Sequence, residues 1–367
     1  MDELLKYKIG ITLIPGIGDI LAKNLISYCG SIEGVFKEKK AKLQKIPGIG
    51  LVLADAIRNH NVLERAEEEM KFIQKYKITP LFYLDENYPQ RLKHCADSPV
   101  MLYYKGQADL NSKRIVSIVG TRNVTLYGKK ICNDLVEGLA DHEVLVVSGL
   151  AYGVDICAHK AALTTNLPTV GVLAHGLDKI YPSVHRSTAE KMLSKGGLLT
   201  EFLSKTQPDR ENFPKRNRIV AGMADATIVI ESKSEGGSLI TADIANSYSR
   251  DVFAFPGKVD DEHSVGCNQL IKNNKAALIE SAADVLRLMG WEKQKKRQNS
   301  VQQKSLFLNL SPDEEIVVTL LRERTTIAID ELCYAAKLNM SKVSLLLLNL
   351  ELTGVVKSLP GKVYSLH

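Results

Sequence analysis

The segment whose residue types point most directly to chemistry is Phe213-Pro214-Lys215-Arg216-Asn217-Arg218. Guanidinium forks fit phosphate oxygens, an amide fits base edges, and the ring of Phe213 could stack on a base. The competing interpretation is a structural ion-pair network at the start of an apolar helix, which we predict from Ile219. Because cations at a helix N-terminus oppose the helix dipole unless an anion is bound, we favour a binding role.

A second group of candidates follows the predicted strands of the central region, which end in glycine or small polar residues. The loops that follow them contain Gly120-Thr121-Arg122, Ser148-Gly149, Ala174-His175-Gly176 and Gly237-Ser238. The carboxyl ends of parallel strands meet at one edge of a sheet, so these loops would converge there. Their backbone amides, together with the guanidinium of Arg122, predict a site for a phosphate-bearing ligand.

Recognisable patterns for catalysis or metal binding are missing from the sequence. No G-x-G-x-x-G dinucleotide fingerprint follows a strand, and no serine or cysteine nucleophile sits in a known elbow motif. The six cysteines contain no C-x-x-C pair, and carboxylates with metal-ligand spacing are missing. Asp155 and His159 could form a catalytic pair, although an ordinary helix pair is the commoner explanation. We therefore predict no catalytic residue, no metal and no cofactor.

The central region must place these loops, and from about Lys113 it alternates short β-branched runs with segments long enough for helices. The runs are IVSIVG, VLVVSG, TVGVLA, ATIVIE and VFAFPG. This alternation is typical of a doubly wound parallel sheet, and near-continuous apolar strands fit burial on both faces. We predict an α/β, Rossmann-like domain over residues 101–291.

The first hundred residues are predicted to be helical and contain an internal repeat. Leu13-Ile14-Pro15-Gly16-Ile17-Gly18 recurs as Lys45-Ile46-Pro47-Gly48-Ile49-Gly50. The pattern resembles the helix-hairpin-helix motif of SAM-like helical domains, whose glycine amides can accept a DNA phosphate. The same motif also serves as a packing device, and the second copy is followed by apolar rather than basic residues. Residues 1–100 are thus predicted to form a helical domain, with DNA contact and simple packing both left open.

The C-terminal region predicts a separate small domain. The segment EKQKKRQNSVQQKS is polar and basic without apolar periodicity, so we expect a flexible linker over residues 292–308. Residues 309–367 contain a capping box at Ser311, two further helices and a small hairpin around Pro360-Gly361, which suggest a winged helix. The predicted third helix carries only Lys342 as a basic residue, so it is better suited to fold stabilisation or protein contact than to reading DNA.

Composition sets broad limits on these interpretations. The chain has 367 residues and a net charge of +6, which permits a phosphate-rich partner without demanding one. No apolar stretch approaches the roughly 18 residues that a membrane span needs, and the N-terminus lacks the features of a signal peptide. We expect a cytoplasmic location and no membrane partner.

Six motifs in one order closely resemble the bacterial DNA-processing protein family called DprA or Smf. They are Ile118-Val119-Gly120-Thr121-Arg122, Ser148-Gly149-Leu150-Ala151-Tyr152-Gly153-Val154-Asp155 with Ala158-His159, Gly176-Leu177-Asp178 with Tyr181-Pro182, Phe213-Pro214 with Arg216-Asn217-Arg218, Gly237-Ser238-Leu239-Ile240-Thr241, and Phe255-Pro256-Gly257. The resemblance covers nearly the whole chain. It departs from the family at Ala174-His175-Gly176, where a glycine-rich turn is common, and at Ser183-Val184-His185-Arg186, where an asparagine is usual.

The resemblance implies a single-stranded DNA-binding protein of natural transformation. Such proteins protect incoming strands and help load the RecA recombinase, acting as homodimers without a catalytic step. By motif, the family's DNA contacts carry over to Gly120, Thr121 and Arg122, to Arg186, and to the Arg216-Asn217-Arg218 and Gly237-Ser238 elements. An alternative hypothesis is a nucleoside-monophosphate-processing enzyme that uses the same glycine loops, and a third is an interaction scaffold.

Overall fold

The computed structural model describes residues 3–292, 310–324, 326–359 and 361–366. The chain forms two compact units, Met1–Lys293 and Gln294–His367. Residues 293–308 of the predicted linker lie outside the described residues. Among the helices that the structure describes, none is both long and apolar enough to cross a membrane.

The first unit begins with helices, and the two copies of the predicted repeat lie in turns between them. They are α1 (Glu3–Ile11), α2 (Asp19–Cys29), α3 (Ile32–Lys37), α4 (Lys40–Leu43), α5 (Leu51–Arg58) and α6 (Val62–Tyr76). Gly16 and Gly48 turn the two hairpins with φ of 79° and 83°, a region that side chains disfavour. A Cβ on Gly16 would lie 2.7 Å from Leu53, and one on Gly48 would lie 2.9 Å from Leu21. The two copies therefore pack against each other reciprocally, each hairpin receiving a leucine from the other.

A nine-stranded sheet follows the helices. Its strands are β1 (Thr79–Phe82), β2 (Met101–Gly106), β3 (Arg114–Val119), β4 (Val144–Ser148), β5 (Thr169–Val172), β6 (Gly197–Thr200), β7 (Ala226–Val229), β8 (Asp251–Ala254) and β9 (Ala277–Leu278). The strand order is β1-β2-β6-β5-β4-β3-β7-β8-β9. The strands from β3 to β9 run parallel to one another, whereas β2 pairs antiparallel with both β1 and β6. The predicted α/β fold and its five strands are confirmed.

Four strands of this sheet were not expected from the sequence. β1 lies inside the region predicted to be helical, and β2 begins just after it. These strands were missed because a short apolar run such as Met101-Leu102-Tyr103-Tyr104 has no periodicity that distinguishes a strand from a helix. β6 and β9 are only four and two residues long. β1 belongs to the large sheet although it precedes residue 101, the predicted start of the Rossmann-like domain. The sheet therefore contains strands from both sides of that position.

Helices cover both faces of the sheet. They are α7 (Gln90–Lys93), α8 (Leu126–Leu139), α9 (Val154–Thr164), α10 (Arg186–Met192), α11 (Asn212–Met223), α12 (Gly237–Ser247), α13 (Val265–Lys272) and α14 (Ala282–Leu288). Along β3, Ile115 joins a buried cluster with α11 and α12, and its neighbour Val116 joins another with α8, α9 and α14. Alternate residues of the strand thus point to opposite helix layers, which explains the continuous apolar runs.

The second unit has the predicted winged-helix composition. It contains α15 (Pro312–Glu323), β10 (Ile327–Ala328), α16 (Ile329–Ala336), α17 (Met340–Leu352), β11 (Val356–Leu359) and β12 (Val363–Leu366), with strand order β10-β12-β11. The capping box forms as expected, since Ser311 Oγ accepts from the Glu314 amide and the Glu314 carboxylate accepts from the Ser311 amide. The winged-helix prediction is confirmed.

Candidate nucleic-acid interface

A cleft of about 910 Å³ opens at the carboxyl edge of the parallel sheet. The chain passes from β3 to β4 and β5 on one side, whereas β7 and β8 lie on the other side of β3. This reversal of strand order leaves a crevice between the loops after β3 and β7, where open α/β sheets bind their ligands. We call this cavity the cleft; its lining includes Gly120, Thr121, Arg122, Asn123, Asp155, Tyr181, Arg210, Phe213, Arg216, Asn217, Lys233, Glu235, Gly237, Ser238 and Glu262.

Glu231, which follows β7, holds the loop that carries Arg122. The Thr121 amide donates to the Glu231 carbonyl at 2.7 Å, and the buried Glu231 carboxylate accepts from the amide and the hydroxyl of Thr125 at 3.0 and 2.5 Å. Two ends of the loop are thereby tied to one residue, which leaves Arg122 exposed at the cleft. Sequence reasoning missed Glu231, although an acidic residue closing an apolar strand was a usable signal.

Gly153 lets a second loop cross close behind Arg122. Its φ is 78°, and a Cβ at this position would lie 2.1 Å from the Thr121 carbonyl oxygen. The Val154 amide donates to that same oxygen at 3.1 Å. A side chain at Gly153 would therefore push the Arg122 loop away from α9.

Arg122 stands beside aromatic rings at the mouth of the cleft. Its guanidinium carbon lies 5.4 Å from the centre of the Phe213 ring. Phe213 in turn meets Tyr181 edge-on, with ring centres 6.4 Å apart. In the described part of the chain, no carboxylate lies within ion-pair distance of Arg122. The result is a cation free to meet an anion, next to rings on which a base can stack.

Arg216 is a buried residue at the base of the cleft and not a free cation. It is 5% exposed, and its Nη1 donates to the carbonyl oxygens of Gly149 and Val172, at the ends of β4 and β5. Burial lowers the pKa of Arg216, while the nearby carboxylate of Asp155 opposes that change. Burial likewise raises the pKa of Asp155, against the effect of Arg216. Arg216 thus joins two strand ends and brings a partly neutralised charge to the cleft.

Arg218 points away from the cleft and forms the ion-pair network that was the competing interpretation. It pairs with Asp19 at 3.0 Å and with Glu201, and it donates to the Asp97 carbonyl. Burial raises the pKa of Glu201 to about 7, although Arg218 opposes the shift. These contacts link α11 to the N-terminal helices, so we leave Arg218 out of the proposed site.

The basic segment lies inside α11 and not before a helix starting at Ile219, which corrects that prediction. α11 begins at Asn212, so Lys215 to Arg218 occupy its first two turns. Successive side chains of a helix point about 100° apart, so the three cations cannot share one direction. Lys215 is exposed to solvent, and Asn217 lines the cleft and accepts from Arg216 Nε at 3.2 Å.

Ser148 and Arg186 do not line the cleft. Ser148 is fully buried, and its hydroxyl donates to the Ile118 carbonyl at 2.6 Å. Gly149 is also buried, and its carbonyl is taken by Arg216. Arg186 is exposed at the first position of α10, outside the residues that line the cleft. The structure therefore assigns Ser148 and Gly149 to the support of the site.

Gly237 and Ser238 open α12 at the far wall of the cleft. Gly236 is the N-cap residue, and the first amides of this eleven-residue helix carry no side-chain cap. A Cβ on Gly237 would meet nothing within 4 Å, so packing within the chain does not require glycine there. Ser238 is buried, and its hydroxyl donates to Ser232 at 2.8 Å. Gly237 thus offers an open approach to helix N-terminal amides, which attract anions.

Two histidines near the cleft, His159 and His175, are buried, and burial lowers the pKa of both. His175 Nε2 accepts from the Tyr181 amide at 3.2 Å and Nδ1 donates to the Gly176 carbonyl at 2.8 Å, so it holds the turn that carries Tyr181. His159 contacts the Thr169 hydroxyl at 2.6 Å and not Asp155. Burial lowers the pKa of His159 to about 3. Asp155 and His159 therefore form neither a catalytic pair nor the ordinary helix pair that their spacing suggested.

Comparison with known proteins agrees with this architecture. The family model for DNA recombination-mediator protein A matches residues 79–290, and a model of the DprA winged helix domain matches residues 307–362. Protein Smf from Synechocystis is 32% identical over 98% of this chain and 98% of its own. DNA processing protein DprA from Streptococcus pneumoniae is 41% identical over 57% of this chain and 74% of its own.

Two solved structures extend the comparison. The structure of DprA from Streptococcus pneumoniae matches with a TM-score of 0.64 and 32% identity, covering 77% of this chain and 97% of that chain. DprA from Helicobacter pylori, whose structure was described for its single-stranded DNA binding mode, matches with a TM-score of 0.53 and 28% identity, covering 58% and 95%.

The fold and the cleft define a Rossmann-like protein with a crevice at its topological switch point, lined by the exposed Arg122 and the start of α12, in one chain with a winged helix. The chain belongs to the DprA family of DNA-processing proteins.

Proposed function

We propose that this protein binds single-stranded DNA in the cleft, as a non-enzymatic factor of natural transformation and recombination. The observation that carries the proposal is the exposed guanidinium of Arg122 beside the rings of Phe213 and Tyr181. A phosphate can pair with the guanidinium while an adjacent base stacks on a ring. Both contacts tolerate any sequence, because every nucleotide has a phosphate and a π-face.

The charges of the cleft support an anionic ligand. Lys233 pairs with Glu262 at 2.5 Å, and Arg216 faces Asp155. Among the charged residues that line the cleft, this leaves two exposed arginines, Arg122 and Arg210, and one exposed carboxylate, Glu235. Gly237 adds helix N-terminal amides on the opposite wall. A ligand with several phosphates gains from this arrangement, whereas a neutral ligand does not.

The aromatic rings favour a single strand over a duplex. Stacking on a protein ring requires a base that is free of its own stack, and in a duplex most base faces are covered. The enzyme alternative would need a proton-transfer group in the cleft, but its buried carboxylate, Asp155, is engaged by Arg216. We therefore prefer binding to nucleoside-monophosphate processing.

Two further parts of the proposal rest on membership of the family. We propose that the chain acts as a homodimer, because two clefts on one strand would raise avidity. We also propose that it protects the strand and helps to load the RecA recombinase onto it.

The test is a gel-shift competition between labelled single-stranded DNA and unlabelled single- or double-stranded competitors. We expect single strands to compete better, and the affinity to fall steeply with salt. Arg122→Ala should weaken binding strongly without changing the thermal midpoint, whereas Arg186→Ala, outside the cleft, should have little effect. Equal competition by duplex, or an unchanged affinity in Arg122→Ala, contradicts the proposal. RecA added afterwards tests whether the bound strand is passed on.

A further inference from the structure

A second cavity of about 970 Å³ lies between α8 and α9. It shares Arg122 and Asn123 with the cleft, so the two cavities meet at the loop after β3. We call this second cavity the α8–α9 groove; its lining includes Arg122, Asn123, Lys129, Asn133, Glu137, Tyr152, Ile156, Cys157, Lys160 and Thr164. The proposed function does not use the part of the groove that lies beyond Arg122.

Each wall of the groove is one face of a helix. On α8, Lys129, Asn133 and Glu137 recur every four residues, as neighbours on one face do. On α9, Ile156, Lys160 and Thr164 show the same spacing. Both walls therefore carry polar or charged side chains at a regular spacing, and Ile156, at the start of the α9 wall, forms an apolar floor with half-buried Cys157.

The positive charges of the groove lie near the cleft. α8 and α9 both follow parallel strands, so both start at the carboxyl edge of the sheet. Lys129 belongs to the first turn of α8, whereas Glu137 lies about 12 Å further along the helix at 1.5 Å per residue. An anion entering from Arg122 meets Lys129 and Lys160 before it meets the carboxylate.

These lysines are available for an external anion. Lys129 and Lys160 are exposed, and in the described ranges neither lies within ion-pair distance of a carboxylate. Their neighbour Lys130, outside the groove, is paired with Asp134 at 2.6 Å. Lys130, which points away from the groove, is thus neutralised by an ion pair, whereas Lys129 and Lys160 keep their charge available to a ligand.

We propose that the α8–α9 groove is a second subsite for single-stranded DNA, which holds the phosphodiester backbone where the strand leaves the cleft past Arg122. This inference rests on the proposed function. Lys129 and Lys160 contact phosphates, Asn123 and Asn133 offer hydrogen bonds to sugars or base edges, and the apolar floor covers one face of a nucleotide. The subsite ends towards Glu137, where the charge becomes unfavourable to phosphate.

The first test compares oligothymidylates of about six and about twenty nucleotides, a range that spans typical single-strand site sizes. Lys129→Ala/Lys160→Ala should weaken binding of the long oligomer and lower its salt slope by about 1.4, as expected for two lost phosphate contacts. Binding of the short oligomer, and all binding by the matched control Lys130→Ala, should not change. If the double variant binds the long oligomer as the native chain does, or loses both oligomers equally, the subsite is disproved.

This outcome is separate from a failure of the proposed function. Arg122→Ala should weaken both oligomers, because Arg122 belongs to both cavities. If the native chain bound neither oligomer, the proposed function would fail first. If Arg122→Ala weakens both while Lys129→Ala/Lys160→Ala weakens neither, the cleft stands and the groove is excluded.

Cys157 supplies a readout that does not depend on affinity. Its thiol lies 3.6 Å from Asn133 Oδ1 on the groove floor. Contact with the Cys132 thiol, helped by Lys129 and Lys160, lowers the pKa of Cys157 to about 7, so it should react with iodoacetamide at neutral pH. Saturating long oligomer should slow this alkylation, measured by peptide mass spectrometry, whereas the short oligomer should not. Cys29, in the N-terminal helices, is the internal control; an unchanged Cys157 rate with the long oligomer overturns the proposal.

Discussion

The Arg122 guanidinium lies 5.4 Å from the centre of the Phe213 ring, although the first belongs to the loop after β3 and the second to α11. The ring restricts the arginine without neutralising it, because a cation over an aromatic face keeps its hydrogen-bond donors free. Charge and stacking surface are thereby placed side by side at the switch point of the sheet. This pairing underlies the proposed interface and the following predictions.

Replacing Phe213 separates stacking from charge. We expect Phe213→Leu to weaken single-stranded DNA binding by about 1–3 kcal/mol, because the leucine fills similar space without a π-face. The salt slope should not change, since no phosphate contact is lost. Fluorescence anisotropy at several salt concentrations measures both quantities. Phe213→Trp is the rescue variant, and equal loss in both would show that the ring acts only by packing.

A side chain at Gly237 should block the helix N-terminal amides. Gly237→Val is expected to reduce single-stranded DNA affinity by about tenfold, equivalent to one charge-assisted hydrogen bond. The thermal midpoint should hold, because a Cβ there meets nothing within 4 Å. Gly50, the N-cap residue of α5, has the same open surroundings, and Gly50→Val tests separately whether the second helix-hairpin-helix turn contributes to binding. Native affinity in Gly237→Val would remove α12 from the interface.

Removing Arg218 should affect stability and not binding. Arg218→Met leaves Asp19 and Glu201 without their counter-charge. Because these carboxylates are 23% and 12% exposed, we expect the loss to be about 1–3 kcal/mol, below that of a fully buried pair. Urea unfolding followed by the fluorescence of Trp291, the single tryptophan, measures the loss. Adding Glu201→Gln should recover part of it. A refolded variant with weak DNA binding would show that Arg218 also serves the interface.

The lowered pKa of His159 predicts how the free energy of unfolding depends on pH. Its folded pKa of about 3 lies below the unfolded value near 6.5, so the native state binds fewer protons. The contribution to stability is complete above pH 6.5 and is lost as the pH falls towards 3; at pH 5 the loss from this group is about 2 kcal/mol. His159→Asn, which can keep a bond to Thr169, should flatten the pH dependence of the unfolding free energy. An equally steep dependence in that variant would assign the effect to other groups.

Much of the fold could be predicted because its signals are local. The five apolar runs became β3, β4, β5, β7 and β8. The Ser311 capping box and the repeated glycine turns also formed where their residues predicted, since each depends on contacts within a few positions. β2 escaped prediction because its identity as a strand comes from pairing with β6, almost one hundred residues later.

For the candidate site, too, local features could be predicted from the sequence, whereas features that depend on distant residues could not. The sequence by itself determined that glycine loops and a basic segment would meet at one edge of a parallel sheet. It could not separate the three arginines, because Arg122, Arg216 and Arg218 have identical side chains and differ only in their surroundings. Tertiary structure buried Arg216 against two strand ends, paired Arg218 with Asp19 from the distant N-terminal helices, and left Arg122 exposed beside Phe213. The physical reason is that burial and charge pairing depend on residues far apart in sequence, whereas the composition of a motif records only its neighbours.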